Sequence, residues 1–105
     1  MEFKYKYDSK YDGEIDIALQ YGEYVNGGTA IQMVCNFEGY PEPWSTLTVW
    51  LPGLEDDEVA IDVNNVDNGL QWAIDNGLVK PAHRYQQSGY VTYPICTLIE
   101  SQTAH

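Results

Sequence analysis

The stretch Glu14-Ile15-Asp16-Ile17-Ala18-Leu19 alternates acidic or small residues with large aliphatic ones, and it indicates the class of the fold. A period of two places Ile15, Ile17 and Leu19 on one face of a β-strand and the carboxylates on the other. Strand character returns further along the chain in residues 29–37, 45–51, 58–63 and 90–99. In residues 58–63 the alternation predicts that Glu58 and Asp62 point outward, while the valines and the isoleucine point inward.

Turn signals and one helix separate these strands. Asn26-Gly27-Gly28 predicts a hairpin because Asn and Gly tolerate positive φ. Loops are expected at residues 39–44, 52–57 and 83–89, and Pro94 predicts an edge position or a bulge in the last strand. The helix is expected to be capped by Asn65 or Asp67 and to end at Asn76-Gly77.

The order of these elements is strands, one helix, then a final strand. We therefore predict an α+β fold, with a mostly antiparallel sheet of four to five strands and one helix packed on one face. A chain of 105 residues fits one domain, which we assign to residues 1–105 with an ordered core at about 12–100.

The charge distribution carries most of the functional information. Sixteen acidic residues oppose five basic ones, and residues 11–79 contain 13 Asp or Glu and neither Lys nor Arg. A field of this sign repels nucleic acids and membrane surfaces and attracts basic proteins. We therefore expect a basic nucleic-acid-binding protein as the partner, and neither direct nucleic-acid binding nor membrane association.

The cellular compartment is inferred from the N-terminus and the cysteines. Residues 1–7 alternate apolar and charged side chains and lack the apolar core of a signal peptide. Cys35 and Cys96 each lie in an apolar strand segment, which favours buried thiols over a disulfide. We expect a cytoplasmic protein.

Carboxylates supply the candidate site, a partner-binding acidic surface. Outward carboxylates two residues apart on a strand are separated by ~6.6 Å, which is of the order of the phosphate spacing in a nucleic acid. A solvated acidic turn that only aids solubility is the alternative for the cluster at residues 55–58. The predicted partner-binding residues are Glu14, Asp16, Glu55, Asp56, Asp57, Glu58, Asp62 and Asp67.

The sequence offers little for catalysis, and we expect no catalytic residues, no cofactor and no metal site. Residues 62–67 resemble a calcium loop, but Val66 stands where an oxygen ligand belongs. His83 lies in a polar loop and His105 is terminal. Four aromatic residues are interpreted either as contact anchors or as core: Tyr40, Trp44, Trp50 and Trp72.

Four segments resemble a family of small acidic proteins encoded on conjugative transposons, plasmids and prophages of gut bacteria. They occur in order within residues 24–100, at 29–33, 46–52, 56–61 and 88–96, and Ser88-Gly89-Tyr90-Val91-Thr92-Tyr93-Pro94 is the most distinctive. The family has no established catalytic residues to carry over. The resemblance implies a mobile-element context, in which acidic proteins often look like anti-CRISPR or antirestriction inhibitors.

Charge and resemblance together give the functional hypothesis. The chain is expected to be a non-enzymatic inhibitor that binds the basic nucleic-acid channel of a Cas nuclease or restriction enzyme by charge mimicry. The alternative is a non-catalytic accessory module of the mobile element's transfer or replication machinery. The oligomeric state is left open.

Overall fold

A computed structural model describes residues 2–99, which form eight strands and one helix. The predicted α+β class, with mostly antiparallel strands and a single helix, is confirmed. The elements are β1 (Tyr5–Ser9), β2 (Gly13–Glu23), β3 (Thr29–Phe37), β4 (Tyr40–Thr46), β5 (Thr48–Val49), β6 (Glu58–Ile61), α1 (Gly69–Asp75), β7 (Arg84–Ser88) and β8 (Val91–Thr97).

The strands form two antiparallel sheets of four strands each, where one sheet of four to five strands was expected. The N-terminal sheet has the order β1-β2-β3-β4, and the C-terminal sheet has the order β5-β6-β8-β7. Leu47, between β4 and β5, carries the chain from one sheet to the other. Its N–H donates to Ile31 O, and its carbonyl accepts from the Asp62 N–H, both at 2.8 Å. Residues 45–51 are a continuous run rich in Thr, Val and Trp without Gly or Pro, so the sequence carries no signal for the change of sheet.

The main core lies where the inner faces of the sheets meet the helix. Ile17, Ile31 and Met33 contribute from the N-terminal sheet, and Trp72 and Ala73 from α1. All five side chains are buried. At about 25 cal/mol per Å² of apolar surface removed from water, this contact is the main stabilising term of the fold.

Strand β1 precedes residue 12, where we expected the ordered core to begin. Its Tyr7 is buried and donates its hydroxyl to Asp67 O at 2.7 Å, while Trp72 Nε1 donates to Lys6 O at 2.6 Å. The Tyr7 ring also contacts Trp72 edge-on, with ring centroids 5.8 Å apart. These contacts attach the N-terminus to the helix region, so residues 5–9 belong to the core.

Two predicted loops are strands, and each lies at the edge of a sheet. Pro41 and Pro43 occur in β4, paired with Asn36 and Val34 of β3. Because the two prolines are two residues apart, their nitrogens face the same side, and an edge strand has one side that needs no donor. Residues 84–88 form β7, a polar edge strand that pairs only with β8.

Pro94 does not mark an edge strand, because β8 lies between β6 and β7. The β6–β8 pairing ends at Ala60 with Ile95, one residue before Pro94 would have to continue it. The His83 N–H donates to Ile95 O, so the backbone groups of Ile95 face the β7 side. Pro94, the preceding residue, therefore directs its nitrogen toward β6. The β6–β8 hydrogen bonds thus stop at Pro94, which has no N–H to donate.

Helix α1 is shorter than predicted and begins without a side-chain cap. Its N-cap is Asn68 in the left-handed conformation, so neither Asn65 nor Asp67 caps it. Gly69 is the first helical residue, and a Cβ there would lie 3.0 Å from a Val66 methyl. Gly77, with φ at 71°, follows the end of the helix as predicted.

Candidate protein-binding surfaces

The eight predicted carboxylates do not form one surface. Glu14 and Asp16 lie on β2 of the N-terminal sheet, and Glu55, Asp56 and Asp57 lie in the exposed loop before β6. The remaining three follow β6 or belong to it, and two of these are buried.

On β2, the predicted alternation of charges is present but partly neutralised. Lys6 lies directly opposite Asp16 in the β1–β2 pairing and forms a salt bridge with it. Next along the strands, Asp8 lies opposite Glu14, and both side chains are exposed. Like charges in directly opposed positions repel each other, so this pair adds negative potential without adding stability.

The loop at residues 55–57 is exposed, as the sequence predicted. Its backbone is held in place, since the Leu98 N–H donates to Asp57 O at 2.8 Å. A cavity of about 130 Å³ separates this loop from the β2–β3 turn, and both Glu55 and Asp56 line it. The acidic side chains therefore project from a loop that is anchored at its base.

Glu58 was predicted to point outward from an exposed strand, and this prediction is wrong. All four residues of β6 are buried, because residues 51 and 54 fold over the outer face of the sheet and pack near Ala60 and Ile95. The alternation at residues 58–63 gave no sign of this second covering layer. A strand covered on both faces has no outward side for a free carboxylate.

The Glu58 carboxylate fastens that covering loop to the sheet. It accepts from the Glu55 N–H at 3.0 Å, from His83 Nε2 at 2.6 Å and from the Arg84 guanidinium at 2.8 Å. The backbone N–H of Glu55, then the His83 and Arg84 contacts, lower the pKa of Glu58 to about 2 against the opposing effect of burial. We call Glu58, His83 and Arg84 the loop clasp.

The other two predicted residues have local structural contacts. Asp62 is also buried instead of outward, and its carboxylate accepts from the Asn65 N–H and side-chain amide at 3.2 and 2.9 Å. Asp67 is exposed, while its carbonyl accepts from Tyr7. Glu58 and Asp62 thus support the fold, and they are removed from the candidate binding surface.

A second surface was missed in the sequence. The β1–β2 turn and the β3–β4 turn lie at the same end of the N-terminal sheet, because the β2–β3 pairing runs from Ile17–Cys35 toward the opposite end. We call this region the hairpin end and define it by its exposed aromatic and acidic residues: Tyr11, Phe37, Tyr40, Asp8, Asp12, Glu14, Glu38 and Glu42.

Aromatic exposure at the hairpin end is high. The exposed fraction is 90% for Tyr11, 59% for Phe37 and 72% for Tyr40. Of the four aromatics weighed from sequence, Tyr40 is exposed, Trp50 is 39% exposed, and Trp72 is core. Trp44 is half-buried and contacts Tyr7 with ring centroids 6.3 Å apart. Only the register of the sheets brings Tyr11 to the same end as Phe37 and Tyr40, which the linear sequence does not reveal.

The described part of the chain offers little for metal or thiol chemistry. Within residues 2–99, no three or more His, Cys, Asp or Glu side chains are arranged to hold a metal ion. Cys35 and Cys96 are free, and burial raises the pKa of the Cys96 thiol to about 11. Among the same residues, no helix has the length and apolar character needed to cross a membrane. His105 lies outside the described residues.

A comparison with protein families finds a match for most of the chain. Residues 18–104 match the family described as Domain of unknown function (DUF4313), and the chain belongs to that family. No curated protein and no solved structure matches the chain.

Proposed function

We propose that this chain is a non-enzymatic, mobile-element-encoded inhibitor that binds the basic nucleic-acid channel of a Cas nuclease or restriction enzyme. The observation that carries the proposal is the surplus of exposed carboxylates. Within residues 2–99, the side-chain salt bridges are those of Asp16 with Lys6 and of Glu58 with His83 and Arg84. Apart from buried Asp62, the other acidic side chains in that range are exposed and have no cationic partner there, and together they form a strong negative field.

This arrangement supports binding to a channel that evolved for phosphates. The backbone that carries the carboxylates of the 55–57 loop and of β2 is held by hydrogen bonds and sheet pairing, so binding requires little ordering of the backbone. Electrostatic complementarity of this kind raises the association rate and fades as salt screens the charges.

One observation favours a second candidate, an accessory module of the element's transfer or replication machinery. Exposed aromatic side chains at the hairpin end suit an apolar protein contact, and charge mimicry alone does not require them. In that case the acidity serves solubility, and binding would change little with salt.

The test measures cleavage by purified Cas nucleases and restriction enzymes with increasing amounts of the chain, at low and high salt. The proposal expects inhibition at low salt that is lost at high salt or on adding competing DNA or RNA. Nucleases that stay fully active at a large molar excess of the chain would overturn it. Inhibition that is independent of salt would overturn charge mimicry as the mode of binding, because an electrostatic contact weakens as salt screens the charges.

A matched pair of variants locates the acidic contact. Glu55→Gln/Asp56→Asn/Asp57→Asn removes three exposed carboxylates and leaves Glu58 in place. The control, Gln87→Lys/Ser88→Lys/Thr92→Lys, makes the same change in net charge at exposed positions of β7 and β8. We expect the first variant to lose about tenfold in potency and the control to lose much less. The first variant removes direct contacts with the partner, whereas the control changes only the net charge of the chain. Equal losses would mean that only net charge matters.

A further inference from the structure

We infer that the hairpin end is the docking surface for a protein segment that carries Lys or Arg beside apolar side chains. The inference deepens the proposed function and rests on it only in taking the partner to be a basic protein. It differs from the proposal in its location, since the acidic loop at residues 55–57 is not part of the hairpin end. It differs also in kind, because aromatic contact contributes beside charge.

The hairpin end carries three exposed aromatic side chains. Tyr11, Phe37 and Tyr40 are exposed at one end of one sheet, on two hairpin turns. Phe37 pairs directly with Tyr40 across the β3–β4 hairpin, so these two rings start from neighbouring backbone positions. Tyr and Phe in such positions are enriched in protein interfaces and depleted elsewhere on surfaces. Grouped exposure of this kind marks an interaction site more strongly than scattered single residues do.

The charges around these rings decide what the occupant is. Five exposed carboxylates lie at the same end of the sheet, and none of them forms a salt bridge with another described residue. Glu38 and Glu42 belong to the hairpin of Phe37 and Tyr40, and Asp12 follows Tyr11, whereas Asp8 and Glu14 pair with each other on the opposite face of the sheet. Lys10 is the basic residue of the same turn region. A nucleic acid, an anionic membrane or a second copy of this chain would bring like charge to the surface and would be repelled. A segment with Lys or Arg beside apolar groups complements both features.

The structure provides an internal comparison. Tyr85 and Tyr90 are also exposed, at 63% and 106%, but they lie among Gln, Ser and Gly on β7 and the β7–β8 turn. Nothing acidic occurs between residues 76 and 99 of the sequence. These tyrosines therefore share the exposure of the hairpin-end rings and lack their acidic sequence neighbours.

The experiment uses two synthetic peptides of equal charge. One alternates Lys or Arg with Leu, and the other replaces each Leu by Ser. Amide chemical shifts of the isotope-labelled full chain would be followed during titration with each peptide. We expect the Leu peptide to bind more tightly, with the largest shifts at residues 8–14 and 37–42. Tyr11→Ser/Phe37→Ser/Tyr40→Ser should weaken the Leu peptide about tenfold and leave the Ser peptide unchanged.

Controls and contrary outcomes separate this inference from the proposed function. Tyr85→Ser/Tyr90→Ser should leave both affinities unchanged, and the amide spectrum of each variant reports whether the fold is intact. Equal affinity for the two peptides, shifts centred on residues 55–57, or absence of binding would overturn the inference. Shifts that depend on protein concentration without peptide would identify a second copy as the occupant and would also overturn it. Failure to inhibit any nuclease, with the peptide result as expected, would overturn only the proposed function.

Discussion

Replacing Glu58 by Gln tests whether the loop clasp stabilises the fold. The substitution keeps the shape of the side chain and removes its charge, so it weakens the hydrogen bonds from Glu55 N–H, His83 and Arg84 without opening a cavity. We expect the Gln variant to fold and to be less stable than the wild type at neutral pH. The difference should shrink as the pH falls.

The size of the effect follows from the pKa of Glu58. A carboxyl group whose pKa drops from 4.5 to about 2 on folding contributes about 3 kcal/mol at neutral pH, at ~1.4 kcal/mol per tenfold change in protonation. His83 and Arg84 are about two-fifths exposed, so solvent screening lowers this figure to about 2 kcal/mol. Because the pKa is lowered on folding, the contribution is complete above pH 4.5 and disappears as the pH falls through 2.

Urea unfolding of both proteins between pH 3 and 7 measures the difference directly. The comparison must be between the two proteins, because protonating the other carboxylates relieves repulsion and changes the stability of each alone. Glu55→Gln, at an exposed position whose hydrogen bonds to Glu58 come from backbone atoms, serves as the control and should lie within about 0.5 kcal/mol of the wild type. A Glu58→Gln difference below about 0.5 kcal/mol at pH 7, or one that does not change with pH, would refute the reasoning.

Two further predictions concern buried groups. Tyr7→Phe removes the hydroxyl that donates to Asp67 O and should lower the free energy of unfolding by about 1 kcal/mol. Tyr90→Phe, at an exposed position, serves as the control and should not change it. Equal stabilities of the two variants in thermal or urea unfolding would contradict the assigned bond. Burial raises the pKa of Cys96 to about 11, so at pH 8 its thiol should react with a disulfide reagent far more slowly than an exposed thiol does. The thiol should become reactive when the protein is unfolded in urea. Rapid labelling of Cys96 in the folded Cys35→Ser variant would contradict this.

The sequence predicted correctly those elements whose formation depends on neighbouring residues. The strand at residues 29–37, the turn at residues 26–28 and the α+β class are confirmed, because alternation and turn residues act within a few positions. The prolines of β4 misled the prediction. Proline forbids only one hydrogen-bonding side, and whether that side is needed depends on which strand lies at the edge. Sequence spacing does not contain the strand order.

The same limit applies to the candidate site. The exposure of Glu55, Asp56 and Asp57 was predicted correctly, since a turn rich in charge gains from contact with water. The burial of Glu58 was not, because its partners His83 and Arg84 are about 25 residues away and meet it only through the C-terminal sheet. The hairpin end was missed for the same reason: its two turns are brought together by the pairing of β2 with β3.

The fold divides the carboxylates into two kinds, and this division bears on function. Lys6 and Arg84, from strands at the edges of the two sheets, pair with Asp16 and Glu58, so the fold neutralises two acids of the base-free middle of the sequence. The acids of the hairpin end have no such partners among the described residues, and their mutual repulsion opposes folding. Solubility explains excess charge at any exposed position, but it does not explain exposed aromatic rings at the same end, which reduce solubility. A surface that binds a basic, partly apolar partner accounts for both features together.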